Sequence, residues 1–153
     1  MAMSLEQCAA LLAASRVRHH VDAEQGVIRV LWITQDYLNL RREKLAILQI
    51  TAPDEGRRCR VTIERAFAVG PDPAVTCLEL CRAAADTPGV AAEFDADIDN
   101  LRMVVEAVVE DGELTRRQLA TMIGSLAEAA ERWSGMVGGS VPGTIDHSGG
   151  HAA

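Results

Sequence analysis

The residues of this chain able to do chemistry are its histidines, its cysteines and one run of alternating aspartates, and each set carries a geometric requirement. His19-His20 would have to share one ion or act on one substrate. Neighbouring side chains on a strand point to opposite faces, so the pair reads as one packed and one exposed histidine. His147 and His151 lie in a Gly-rich terminal stretch, which offers no second shell to fix a metal's geometry. The four cysteines are Cys8, Cys59, Cys77 and Cys81, with no CxxC pair and no histidine nearby in sequence. Cys77 and Cys81 are spaced by one helical turn, and core packing accounts for all four better than zinc does. Asp95, Asp97 and Asp99 alternate with Ala96 and Ile98, and Glu106 falls where a calcium loop ends. An EF-hand needs Gly where this chain has Asn100, and helices where this chain is patterned as strand, so a solvated hairpin turn is expected.

No P-loop, no GxGxxG opening a helix, no HExxH and no GxSxG occurs. No catalytic, cofactor-binding or metal-binding residue is therefore assigned, and the chain reads as a non-enzyme without a cofactor. An enzyme built on Cys77 or His20 stays as the third alternative. It would require a thiolate-rich, fast-reacting cysteine.

Composition narrows the partners. With 153 residues the chain has the length of one domain. Its 48% apolar residues suffice for a packed core. Only two Trp, one Tyr and two Phe are present, so Leu, Val, Ile and Ala must build that core and few rings are left for base stacking. A formal net charge of −7 repels phosphate backbones and anionic lipid, which argues against nucleic acid and membrane as partners. Arg41-Arg42 with Lys44, and Arg57-Arg58 with Arg60, are the two basic clusters, read as solvated turn and strand-edge charge. Apolar Cys8 to Ala14 is flanked by Glu6, Arg16 and Arg18, so it reads as helix rather than signal sequence, and the cytoplasm is the expected compartment.

The elements follow from periodicity and punctuation. Ser4 and Gln7 form a capping box ahead of Leu5, Cys8, Leu11 and Leu12 at helical spacing. Strands are expected at 17–21, 27–34, 44–51 and 57–67, with a polar loop over 35–43 and a turn at Pro53 to Gly56. Asp72-Pro73 opens a second helix whose buried face should be Val75, Leu78, Cys81 and Ala85, closed by Thr87-Pro88-Gly89. Strands at 90–96 and 101–109 follow, with Leu101, Met103, Val105, Ala107 and Val109 on one face. Thr115 and Gln118 cap a last helix carrying Leu119, Met122, Ile123, Leu126, Ala130 and Trp133 on one stripe. The fold class is α+β, an antiparallel sheet with helices packed on it in the order α-β(3-4)-α-β-β-α. One domain is expected over 1–135, followed by a flexible Gly/Ser-rich tail over 136–153.

The run from Gly89 through Asp95-Ala-Asp-Ile-Asp-Asn100 and Val104-Val-Glu-Ala-Val-Val-Glu110, ending in Leu114-Thr115-Arg116-Arg117-Gln118-Leu119, resembles the YbjN-like family. Val21-Asp22 through Ile28 and Val30 is similar to that family's first hairpin, and the resemblance spans Leu5 to Trp133. The Ala83-Ala84-Ala85 run departs from the polar, Asn-containing stretch usual there. The resemblance implies the fold of the type III secretion chaperones, which are small, acidic, often dimeric and bind an extended segment of a client. It supplies no catalytic residues.

The function expected is thus a non-enzymatic, chaperone-like or adaptor domain, forming a homodimer and binding a protein segment by apolar grooves or strand addition. Both parities of 27–33 and 45–50 are largely apolar, so Leu31, Ile33, Leu48 and Ile50 are the candidate contact residues. The alternative is a self-associating structural or regulatory domain with no client.

Overall fold

The structure is a computed structural model, and it describes residues 2–137, with side chains to Gly135. Element order is α1 (Leu5–Ala14), β1 (His19–Asp22), β2 (Val27–Ile33), β3 (Leu45–Thr51), the one-turn α2 (Pro53–Gly56), β4 (Arg58–Ile63), α3 (Pro73–Ala85), β5 (Ala91–Asp95), β6 (Asn100–Val108) and α4 (Arg116–Val137). This is the α+β architecture expected. The sheet is six-stranded and wholly antiparallel, in the order β1-β2-β3-β4-β6-β5. The expected tail lies outside the described residues from 138 onward, with His147 and His151, while α4 runs on to Val137.

The punctuation read from sequence forms as hydrogen bonds. Ser4 Oγ accepts from the Gln7 amide at 3.2 Å while Gln7 Oε1 accepts from the Ser4 amide at 2.7 Å. Thr115 and Gln118 repeat the exchange at 3.1 and 2.8 Å ahead of α4, and Asp72 Oδ1 accepts from the Ala74 amide at 3.1 Å. Each satisfies donors that a helix start leaves unpaired. At Gly56 the backbone takes φ +83°, and a Cβ there would fall on the Met3 backbone, whose amide donates to Gly56 O at 2.9 Å.

One face of the sheet meets the helices. Ile28, Val30, Leu48, Ile50, Cys59, Val61, Ile63, Leu101, Met103 and Val105 pack there against Cys8, Leu12, Leu119, Met122, Ile123, Leu126 and Trp133. Cys8 and Cys59 are core residues, whereas Cys77 is half-buried and Cys81 exposed.

Helix α3 is turned differently from its sequence pattern. Thr76, Leu80 and Ala83 are its buried residues; Val75 and Leu78 are about half exposed, and Cys81 and Ala85 face outward. The fixing contact is the buried Trp133, whose Nε1–H donates to Thr87 Oγ1 at 3.0 Å while Thr87 Oγ1–H donates to Ala83 O at 2.9 Å. An indole N–H taken out of water needs an acceptor, and meeting it sets the phase of α3 against α4.

Candidate protein-binding surface

No helix among the described residues covers the second face of the sheet with a core, and that face divides into two halves. On the β4, β6 and β5 side, Arg60 pairs with Glu93 and, at 3.2 Å, with Glu106. Arg58 meets Glu106 at 2.7 Å, and Arg102 lies 3.3 Å from both Glu64 and Glu93. Burial alone would lower the pKa of Arg60, but hydrogen bonds to the two glutamates raise it above the usual value. The Arg60 hydrogen bond, followed by the nearby cations, holds Glu93 below the ordinary carboxylate range.

On the β2–β3 side the same face is apolar toward the Ile33 end, while Arg29 pairs with Gln49 at the other. Leu31 stands opposite Ile47 across the ladder, and Ile33 opposite Leu45. Ile33 is 77% exposed, and Leu31 and Ile47 about two-fifths exposed. Leu38 and Leu40 of the β2–β3 loop are also exposed, and Leu40 lines one groove with Ile47.

That loop is pinned in place. Tyr37 is buried, its hydroxyl donates to Ala66 O at 2.6 Å, and its ring meets Phe67 edge-on at 5.7 Å. Burial raises the phenol's pKa above its usual value, so it remains a donor. Thr34 Oγ1–H donates to Tyr37 O at 2.7 Å. From α4, the Glu131 carboxylate accepts from three consecutive amides, Gln35, Asp36 and Tyr37, at 2.7, 2.9 and 2.6 Å. Burial pushes the Glu131 pKa up, but those amides, with Lys44 nearby, bring it below the ordinary range. Between the loop and the sheet lies an open groove of about 460 Å³, whose walls include Leu40, Arg41, Ile47, Gln49 and Arg65.

The four residues singled out from sequence separate. Leu31 and Ile33 lie on the open face. Leu48 and Ile50 are 0% exposed, in the core, and cannot touch a partner while the domain is folded. The register decides this: Val30 pairs with Leu48 and Ile28 with Ile50, so the open-face neighbours of Leu31 and Ile33 are Ile47 and Leu45. Sequence reasoning passed over Ile47, because β3 is apolar at both parities and only the pairing resolves which parity faces out. It also passed over Glu131 and Tyr37, whose roles depend on partners far along the chain.

The other candidates stay apart. His19 Nδ1 sits 2.8 Å from Val17 O, and His20 is exposed on the opposite face of β1. The Asp97 amide donates to Asp95 Oδ1 at 3.1 Å in the expected hairpin turn. Among the described residues no group of three His, Cys, Asp or Glu side chains could hold a metal ion. Burial, and then Cys81, raises the Cys77 thiol's pKa, away from the thiolate a nucleophile needs. No helix among the described residues is long and apolar enough to cross a membrane.

No protein-family model matches the chain, and no curated protein matches it. Solved structures do. YbjN from E. coli, a candidate transcription regulator, superposes with a TM-score of 0.64 at 13% identity, covering 85% of this chain and 87% of that one. A chain of the HopA1–SchA chaperone–effector complex superposes with a TM-score of 0.54 at 11% identity, covering 81% and 87%. This is the YbjN-like, secretion-chaperone-like fold. At such identities the likeness is one of fold, and it carries no side chain of the surfaces above over from those structures.

Proposed function

We propose that the chain is a non-enzymatic, chaperone-like or adaptor domain that binds an extended protein segment on the β2–β3 half of its open sheet face, around Leu31, Ile33 and Ile47. The observation that carries this is the run of exposed apolar side chains on two paired strands beside a pinned loop. A contiguous exposed apolar patch marks an interaction site. The chaperone–effector complex among the structural neighbours adds support, since that fold serves protein binding there. The four thiols suit the cytoplasm as its compartment.

The test is capture from native lysate with the full chain and with its Ile33→Glu variant, confirmed folded by circular dichroism. A protein retained by the parent and lost from the variant supports the reading. Identical lanes from both proteins would sink it.

A homodimer is proposed on a separate observation, the outward stripe of α3 at Val75, Leu78, Cys81 and Ala85. Leu78→Asp should convert the species seen by light scattering from dimer to monomer. A self-associating domain without a client is the second reading, favoured by the same stripe, and unchanged capture with Ile33→Glu would point to it.

A further inference from the structure

We infer that the groove beside the β2–β3 loop takes an acidic segment of another protein, one whose apolar side chains are interspersed with carboxylates. This rests on the open face being a protein-binding surface, and it adds which segment that surface selects.

The argument is charge complementarity within a chain of net charge −7. Arg41 and Arg65 line the groove, both are exposed, and neither is in an ion pair among the described residues. Of the groove's two acidic residues only Glu64 is ion-paired; Glu43 is hydrogen-bonded to a neutral amide and keeps its charge. Glu64 accepts from Asn100 Nδ2 at 3.0 Å and lies 3.3 Å from Arg102, and Glu43 accepts from Asn39 Nδ2 at 3.1 Å. Every glutamate of the neighbouring ionic half is likewise matched to an arginine of its own. Arg41 and Arg65 therefore stand against one uncompensated carboxylate, that of Glu43, and the groove keeps an excess of positive charge.

Arg65 is also held where it stands. Its backbone is left-handed at φ +48°, and its amide donates to Oδ1 of the buried Asn100 at 2.7 Å. A non-glycine residue in that region carries a local cost that the buried asparagine offsets. The apolar wall of the groove, Leu40 and Ile47, continues into Leu31 through the β2–β3 pairing. An extended segment could thus lay apolar side chains on Ile47 and Leu31 and bring intervening carboxylates to Arg41 and Arg65. Arginine, with its forked donors, is the cation suited to carboxylates.

The test uses the full chain and short fluorescein-labelled peptides of alternating Leu/Asp, Leu/Asn, Leu/Lys and Ser/Asp, read by anisotropy with free succinate as competitor. The Leu/Asp peptide should bind tightest, with an affinity that falls as salt rises. Arg41→Gln and Arg65→Asn should each weaken it by roughly fivefold, the effect of an exposed ion pair at its upper range. Asn tolerates the left-handed backbone, so Arg65→Asn keeps the turn; if it misfolds, Arg41→Gln on the exposed loop decides alone.

Equal binding of Leu/Asn and Leu/Asp, unchanged in both variants, would overturn the acidic assignment and leave the apolar docking surface standing. Equal binding of Ser/Asp would remove the apolar component, and displacement by succinate would replace the peptide with a small carboxylate. If no peptide binds while Ile33→Glu still abolishes capture from lysate, the groove proposal fails and the surface reading survives.

Discussion

On the β4–β6–β5 half of the open face, Arg58, Arg60 and Arg102 interlock with Glu64, Glu93 and Glu106. On the β2–β3 half of the same face, the positions equivalent by strand alternation hold Leu31, Ile33, Leu45 and Ile47. The first half answers its own charges. The second leaves apolar area wet, at roughly 25 cal/mol for each Å² that a partner could cover. Both sit over one continuous core, so stability does not separate them. What separates them is whether something else is required to finish the surface.

The comparison breaks most sharply within β3 itself. Leu48→Glu places a carboxylate at a 0% exposed site facing Ile63 and Val30, and should unfold the domain, costing more than about 4 kcal/mol. Ile47→Glu, one residue away on the other parity, should stay within about 1 kcal/mol of the parent. Urea titration followed by circular dichroism checks both. Equal losses would mean that the open face is covered in solution and the contrast between the faces is wrong.

A middle-sized effect is expected where α4 holds the groove's loop. Glu131→Ala leaves three amides without their carboxylate and should cost about 1–2 kcal/mol, with faster hydrogen exchange at Gln35 to Tyr37. The folded-state pKa of Glu131 lies below its unfolded value. Its contribution is therefore complete above the ordinary glutamate value of about 4.3 and is lost as pH falls through the lower, folded value. The gap between parent and Glu131→Ala should be full at neutral pH and close in acid. A gap that persists in acid would assign the effect to packing of the side chain rather than to its charge.

In the ionic half, Glu93→Gln should cost at most about 1 kcal/mol, because Arg60 retains Glu106 and Arg102 retains Glu64. Glu93 is also lowered in the fold, so this loss too should disappear as pH drops below the carboxylate range, and added salt should shrink it. An effect of several kcal/mol would show that the lattice is cooperative rather than a set of separate pairs.

What could be read before the structure followed how local each signal is. Both capping boxes, the Asp72-Pro73 helix start and the alternation of Cys59, Val61 and Ile63 each involve residues a few positions apart, and all of them formed. The phase of α3 is not legible locally, because its strongest apolar spacing, Val75 to Ala85, faces outward while Thr76, Leu80 and Ala83 are buried. Trp133, far along the chain, instead fixes Thr87 and Ala83 inward. Two of the four candidate contact residues lie in the core for a similar reason: Leu48 and Ile50 are as apolar as Ile47, and only pairing to β2 tells the parities apart. The polar segment 35–43 read as a loop, yet its order comes from Glu131 and Asn39 accepting from its amides and from the Tyr37 hydroxyl, which ties it to Ala66 O.

The smallest expected change in stability belongs to the residue whose functional effect should be largest. Ile33 is 77% exposed near the end of β2, beyond the last paired residue of β1, so Ile33→Glu removes almost no buried area. Its unfolding midpoint in urea should lie within about 0.5 kcal/mol of the parent. If that face docks an apolar segment, the same variant should lose its captured partner, since a carboxylate stripped of water without a counter-charge opposes binding by several kcal/mol. Ile33→Ser separates the two causes: it also gives up the apolar contact but introduces no charge, so it should bind more weakly than the parent and better than the glutamate. Equal loss in both would mean that the contact itself, and not the desolvation of a new charge, decides binding on this half of the sheet.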